Sequence, residues 1–246
     1  MKVTLIPVDS DVFGRSVLSI DDFSLSEDFA PFEAAYLERH APWYVVCKVP
    51  LEQVADVHAL ERNGFELVEC QIRSTVGLGA PRDTSRFPYE FRLVSREEDL
   101  EAVLEIAGTT FRHDRFSVDP RCPHGLSGER YRRYVRRSFA AEDEAVYRLC
   151  DPRTNTTLAF KTHRNLGRGE ALLLLGGVHT DYVMTGLGVV NTFFELEALR
   201  AKGFHRATTH ISASNLQVFN LEIGRLGFRV VATFAVLRKT YGAPVG

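Results

Sequence analysis

Between a run of leucines and a long amphipathic segment, the chain carries "GGVHTDYVMTGLGVVNTFFELEALRAKGF" (Gly176 to Phe204). The turn T-G-L-G opens a helix there. The first N–H groups of a helix lack intrahelical partners, and the helix dipole adds partial positive charge. An anion such as a pyrophosphate docks on such a terminus, and Gly186 and Gly188 have no Cβ to hold it away. Glycine is also the ordinary residue of a strand-to-helix bend. Groups able to move protons lie in and just before this stretch: Glu170, His179 and Asp181 near the strand ends and Tyr182 in the turn. Glutamic acid, with a reference pKa of about 4.3, holds a proton at neutrality only where burial raises it.

Other chemistries fit the spacing less well. A dinucleotide fold wants GxGxxG after a parallel strand and an acidic residue about 20 positions on. Here the third glycine is missing, the preceding strands read as a meander, and a P-loop lysine is absent. Cys47, Cys70, Cys122 and Cys150 form neither CxxC nor a zinc-ligand spacing, which predicts reduced thiols and no metal. With 45% apolar and 25% charged residues and a net charge of −2, the 246-residue chain reads as globular, with no bulk reason to bind nucleic acid. The start "MKVTLIPVDSD" is no signal peptide, and no apolar run reaches the ~18 residues of a membrane helix, so a cytoplasmic protein is expected.

The elements that must position these groups follow from periodicity. "WYVVCKVP" reads as a buried strand, "LEQVADVHALERNGF" as a helix with Leu51, Val54, Val57 and Leu60 on one face, and "ELVECQIRSTV" as a strand. "GLGAPRDTSRFPYE" (Gly77 to Glu90) is the linker candidate, giving domains 1–90 and 91–246. Ser95 and Glu98 have capping-box spacing ahead of a helix carrying Leu100, Val103, Leu104, Ile106 and Ala107. "SGERYRRYVRRSF" is a second helix, and residues 144 to 178 alternate strands with turns. The segment after T-G-L-G has Val189, Phe193, Leu196 and Leu199 on one stripe. A strand "RATTHIS", a helix ending at Gly227 and a last strand complete the chain. "LERNGFELVECQI" and "IGRLGFRVVATFA" share Arg, Gly-Phe and Val at equal offsets, which suggests two halves of related architecture.

Meander, glycine turn, helix, strand, helix ending in Gly-Phe, strand: this order resembles the GNAT superfamily of N-acetyltransferases, with its signature V-x-x-x-x-[Q/R]-x-x-G-x-[G/A]. Val178, Gly186 and Gly188 match, and Val183 stands at the Gln/Arg position. "VDSDVFG" (Val8 to Gly14), "FRHDRFSVDP" and "YRRYVRRSF" resemble motifs of the TDP-fucosamine acetyltransferase-like branch, which acetylates the amine of a nucleotide-activated amino-dideoxy sugar. The resemblance implies an α/β (α+β) GNAT fold, a mixed, mostly antiparallel sheet flanked by helices, with a smaller N-terminal α/β half that reads as a degenerate repeat. It implies acetyl-CoA or another acyl-CoA as co-substrate and a small-molecule amine as acceptor, and it admits a homodimer. Gly177, Val178, Val183, Met184, Thr185, Gly186, Leu187, Gly188, Asn215 and Asn220 would hold the coenzyme, with an oxyanion donor near Gly177 or Val178. Asn215 also suits a plain helix N-cap. His113, Asp114 and Arg115 would bind the acceptor, and Arg133 or Arg137 could pair with a diphosphate, although both suit a solvated helix face. Glu222, Tyr241, Glu170 and His179 are the acid and base candidates. Many members carry an acidic tyrosine four residues before the Gly-Phe, where this chain has Ile223.

Overall fold

The structure, a computed structural model, describes residues 1–25, 27–111, 115–123 and 125–242. Its first part runs β1 (Lys2–Leu5), α1 (Pro7–Phe13), β2 (Val17–Asp21), α2 (Phe29–His40), β3 (Tyr44–Pro50), α3 (Val54–Arg62) and β4 (Glu66–Gly77). After a connection come β5 (Glu90–Leu93), α4 (Glu97–Thr110), α5 (Arg115–Val118), α6 (Ser127–Ala140), β6 (Glu144–Cys150), β7 (Thr157–Gly167) and β8 (Glu170–Val178). The chain closes with α7 (Leu187–Ala201), β9 (Arg206–Ser212), α8 (Leu216–Arg225) and β10 (Arg229–Thr240). The strands form one sheet in the order β1-β2-β3-β10-β4-β9-β8-β7-β6-β5. It is antiparallel except for β2 beside β3 and β8 beside β9, and β5 to β8 form the expected meander.

Alternation along the strands splits the core into two layers, since neighbouring side chains leave a strand on opposite faces. Val45, Cys47 and Val49 of β3 pack under α2 and α3, while Tyr44 and Val46 meet α1 and α5. Farther along, Phe160 of β7 packs under α4 and α6, and Ala159 faces α7. Buried ion pairs lock the two parts together on the α1 side. Asp9 receives Arg130 Nε at 2.7 Å and Arg115 Nη2 at 3.4 Å, and Asp119 receives Arg238 Nε at 2.8 Å and the Tyr44 hydroxyl at 3.0 Å. Deleting one partner would strand a buried charge, so these contacts set register between elements far apart in sequence.

Two local expectations are corrected. Ser95 and Glu98 do not form a capping box: Arg96 occupies the N-cap without a side-chain bond, and its Nε is taken by Asp99 at 3.2 Å. Glu97, Glu98 and Asp99 complement the helix dipole instead. The helix expected from Leu51 begins at Val54, because the Leu51 N–H continues sheet pairing and donates to the Thr233 carbonyl at 2.9 Å.

The last strand lies between β3 and β4 rather than beside its sequence neighbours, and β4 in turn lies between β10 and β9. Each part thus lends its final strand to the other. The alignment that sets Gly64-Phe65 on Gly227-Phe228 also sets Gln71 on Phe234, and these two residues face each other across β4 and β10. It sets Val68 on Val231, and each is the extra residue of a bulge in that ladder. It sets Cys70 on Thr233, whose carbonyls accept from Ala213 at 2.8 Å and Leu51 at 2.9 Å. An approximate two-fold axis therefore passes between Gln71 and Phe234.

Candidate active site

Strands β8 and β9 pair from Glu170 opposite Arg206 to Leu173 opposite Thr209 and no farther, although β8 continues to Val178 and β9 to Ser212. The cause lies on the other edge of β8. Leu174 is an extra residue against β7, where Thr162 faces Leu175 and His163 faces Leu173, and such a bulge bends its strand. The pair opens into a fork. The His179 N–H donates to the Leu158 carbonyl at 2.8 Å. Strand alternation then points the Gly177 N–H toward β7 and those of Gly176 and Val178 into the fork. Gly177 is needed for packing: a Cβ there would come within 2.6 Å of the Phe160 ring and 3.1 Å of Thr110 Oγ1. Of the two expected oxyanion donors, only Val178 has the right direction.

Past Val178 the chain makes a 3-10 turn over Thr180–Tyr182, then passes Met184 at φ 70° and Gly186 at φ 85° before α7. Gly186 is required by that positive φ. The buried Leu187 anchors the turn on Leu149, Leu158 and Ala159. The Val183 and Thr185 N–H groups turn inward, each at 3.3 Å from the carbonyls of Thr180 and Tyr182. Those of Met184, Gly186, Leu187 and Gly188 find no acceptor among the described residues. Gly188 has no conformational reason to be glycine, and the nearest atom to a Cβ there would be Val178 Cγ2 at 3.9 Å. A helical glycine costs roughly 0.5–1 kcal/mol relative to alanine, so open space in front of free amides suits a ligand rather than the fold.

The mouth of the fork is shared with α8. Gln217 Nε2 contacts Met184 Sδ at 3.4 Å, and Asn215 Oδ1 caps α8 by accepting the Val218 N–H at 3.2 Å. Asn220 is exposed on α8. Val183 is 51% exposed at the turn's rim.

The acid and base candidates separate in space. Glu170 sits at the closed end of the fork, paired with Arg206 at 3.0 Å, with all of β8 between it and the glycine turn. Tyr241 lies beyond β10 among the N-terminal elements, its hydroxyl bonded to Glu33 and, at 2.6 Å, to Tyr36. Burial pushes its pKa far up. Neither meets the turn, because β10 carries Tyr241 away into the other part and β8 is extended. His179 is at the turn, with Nδ1 accepting the Asp181 N–H at 3.3 Å and its ring edge-on to Tyr182. Glu222 is buried beneath the sheet and accepts from Ser74 Oγ at 3.2 Å. Burial raises its pKa from 4.5 to about 7, against the opposing field of Lys161. Ile223 packs in the apolar cluster between α7 and α8.

Sequence reasoning passed over Lys161, which lies across Gly176 and brings Nζ to 3.2 Å from the fully buried Glu195. A cation reaching a fork through its neighbour strand leaves no local pattern. His113 and Asp114 lie outside the described residues. Arg115 is held by Asp9, Arg133 by Glu129 at 2.7 Å, and Arg137 by Glu144 at 2.7 Å. Among the described residues no group of three or more His, Cys, Asp or Glu side chains could hold a metal, and no helix is long and apolar enough to cross a membrane.

No family model and no curated protein matches the sequence. Solved structures match the fold. A GCN5-related N-acetyltransferase from Sphaerobacter thermophilus aligns over 97% of this chain and 76% of its own, with a TM-score of 0.68 and 12% identity. A tandem GNAT protein from the clavulanic acid biosynthesis pathway aligns over 92% and 75%, at 0.61 and 13%. A glucosamine N-acetyltransferase region of a fungal multi-domain GH3 β-N-acetylglucosaminidase aligns over 96% of this chain and 31% of that one, at 0.65 and 11%. At such identities the likeness concerns the fold: the chain has a GNAT fold, a mostly antiparallel sheet flanked by helices and forked beside a glycine turn.

Proposed function

We propose that this chain is an acyl-CoA-dependent N-acetyltransferase acting on the amine of an amino sugar, nucleotide-linked in the form that the motifs favour. The observation that carries this reading is the β8/β9 fork closed by an uncapped helix N-terminus, with the amides of Gly186, Leu187 and Gly188 unpartnered among the described residues. That terminus suits the diphosphate of the coenzyme. Acyl-CoA, when bound, supplies a thioester carbonyl open to attack by an amine. The chain's own contribution would be a Val178 or Gly176 N–H aimed at the developing oxyanion, and closure of the fork around both reactants. Glu222, with its pKa near neutrality, and Lys161 beside it are the groups able to return a proton under the fork. The amino-sugar acceptor draws support from the motif stretches Val8 to Gly14 and Phe111 to Pro120, and from the shared fold of the fungal glucosamine N-acetyltransferase region. Residues 1–90 and 91–246 are the two halves of this assembly.

One observation favours a second reading. Ile223 leaves the usual acid position apolar, which suits a domain that binds acyl-CoA without turnover. Calorimetric titration with acetyl-CoA, followed by thiol release with a panel of amino sugars, amino acids and aminoglycosides, separates these readings. Heat with turnover on amino sugars is expected. Heat without turnover for any amine selects the second reading, and no heat removes both.

A further inference from the structure

On the sheet face opposite α7 and α8, three side chains able to carry positive charge converge where the two parts meet. Lys48 of β3 places Nζ 4.4 Å from the centroid of Phe234, Arg73 of β4 places its guanidinium carbon at 5.4 Å, and the His210 ring of β9 stands 6.3 Å away. Arg73 and His210 are cross-strand partners. His210 is the first residue of β9 past the last β8 pairing, so the cluster begins where the fork opens. Phe234 flanks the approximate two-fold axis, and junctions between halves are common ligand sites.

Among the described residues Lys48, Arg73 and His210 make no ion pair and no side-chain hydrogen bond, and the carboxylate of Glu69 acts on Lys48 through its field. Arg115, Arg130 and Arg238 nearby are instead each held by a buried carboxylate. Glu69, on the same face, accepts from Gln71 Nε2 at 2.9 Å. An aromatic face orients cations without neutralising them. All three side chains are exposed, and their mutual repulsion tells. Burial, then Arg73 and Arg115, hold Lys48 down to about 8 against the pull of Glu69, and burial, Lys48 and Arg73 hold His210 down to about 4. A bound anion would relieve that field.

We infer that Lys48, Arg73 and His210 form a seat for an anionic group of the acceptor, a phosphoryl or carboxylate group that holds the amine at the mouth of the fork. As a statement about the acceptor this rests on the acyltransferase reading; as an anion site it does not. Calorimetric titration of the whole protein with inorganic pyrophosphate, and separately with succinate, tests it without any amine or thioester. The double variant Lys48→Gln/Arg73→Gln is expected to weaken the preferred anion by about tenfold or more and to leave acetyl-CoA binding within about twofold. His210→Gln gives a smaller loss in the same direction. Gly188→Ala is expected to weaken acetyl-CoA, and any pyrophosphate docked on the α7 terminus, and to spare the anion binding that depends on Lys48 and Arg73. Tighter pyrophosphate identifies a phosphoryl group, and tighter succinate a carboxylate. Failure of the wild type to bind either anion, or equal binding with and without Lys48→Gln/Arg73→Gln once Gly188→Ala has disabled the α7 terminus, overturns the seat. Anion binding lost in the double variant, in a protein that takes no acetyl-CoA, overturns the acyltransferase reading and leaves the seat.

Discussion

The crossover β2–α2–β3 and the crossover β8–α7–β9 follow the same path: a parallel strand pair joined through a helix on the same face of the sheet. Their helix entrances differ. At α2, Asp28 caps the terminus by accepting the Ala30 N–H at 3.2 Å, and Glu27 just before it binds the amino group of Met1. At α7 no side chain caps the terminus, and glycines stand at its first turn. The strands differ too. β2 ends one residue after its last pairing with β3, at Ile20 opposite Cys47, whereas β8 runs on for five residues after its last pairing with β9, held only from the β7 side. Under the strands, Glu222 of α8 has the buried Ala59 of α3 as its counterpart in the Gly-Phe alignment. A helix N-terminus can be satisfied by its own side chain or by a ligand, and the strands can close or fork. Only the second crossover takes the open option twice.

Giving α7 the entrance of α2 is expected to have the largest effect. Gly186→Asp places a carboxylate where the diphosphate would dock and a side chain at φ 85°, and acetyl-CoA affinity should fall by about 100-fold, near 3 kcal/mol, by calorimetry. An unchanged Kd would break the comparison. Next is Glu222→Gln, which makes α8 resemble α3 by removing a buried acid. The Glu222 pKa is about 7 when folded against an ordinary 4.5, so the folded chain holds the proton more tightly. Its contribution is present in full below 4.5 and is lost as pH rises toward 7. The variant should therefore be more stable than wild type at pH 8, by about 1–3 kcal/mol, and equal to it near pH 4. Denaturant melts at both pH values check this, and parallel profiles would contradict it. Gly188→Ala should cost about tenfold in acetyl-CoA affinity, about 1.4 kcal/mol, while raising stability by about 0.5–1 kcal/mol. A loss of both would make that glycine a folding residue. Smallest is Asp28→Ala, expected to lower stability by about 1 kcal/mol and to leave acetyl-CoA binding untouched; any change in binding would mean that the two crossovers are coupled.

Much of the frame was legible because it is local. Leu100, Val103, Leu104, Ile106 and Ala107 mark the inner face of α4 by spacing alone, and all five are buried. Gly203 and Gly227 end helices at positive φ, as a C-terminal glycine does. The turn at Gly186 and the cap at Asn215 are also short-range features, one a matter of φ and the other of a side chain reaching three residues ahead. The capping box failed because the helix starts one residue later, with Arg96 at the N-cap and Glu98 3.7 Å from the Arg96 guanidinium, which spacing rules do not weigh.

What reached beyond the chain's local chemistry was settled by long-range pairing. Insertion of β10 between β3 and β4 removed Tyr241 from the fork and set Phe234 beside Lys48 and Arg73, residues far apart in sequence. Burial under strands from both parts, with Ser74 as partner, gave Glu222 a proton affinity that no neighbour in sequence confers. Periodicity and backbone preference act over a few residues and so can be read from order alone. Desolvation and charge depend on which distant segments pack together, and only the folded sheet decides that.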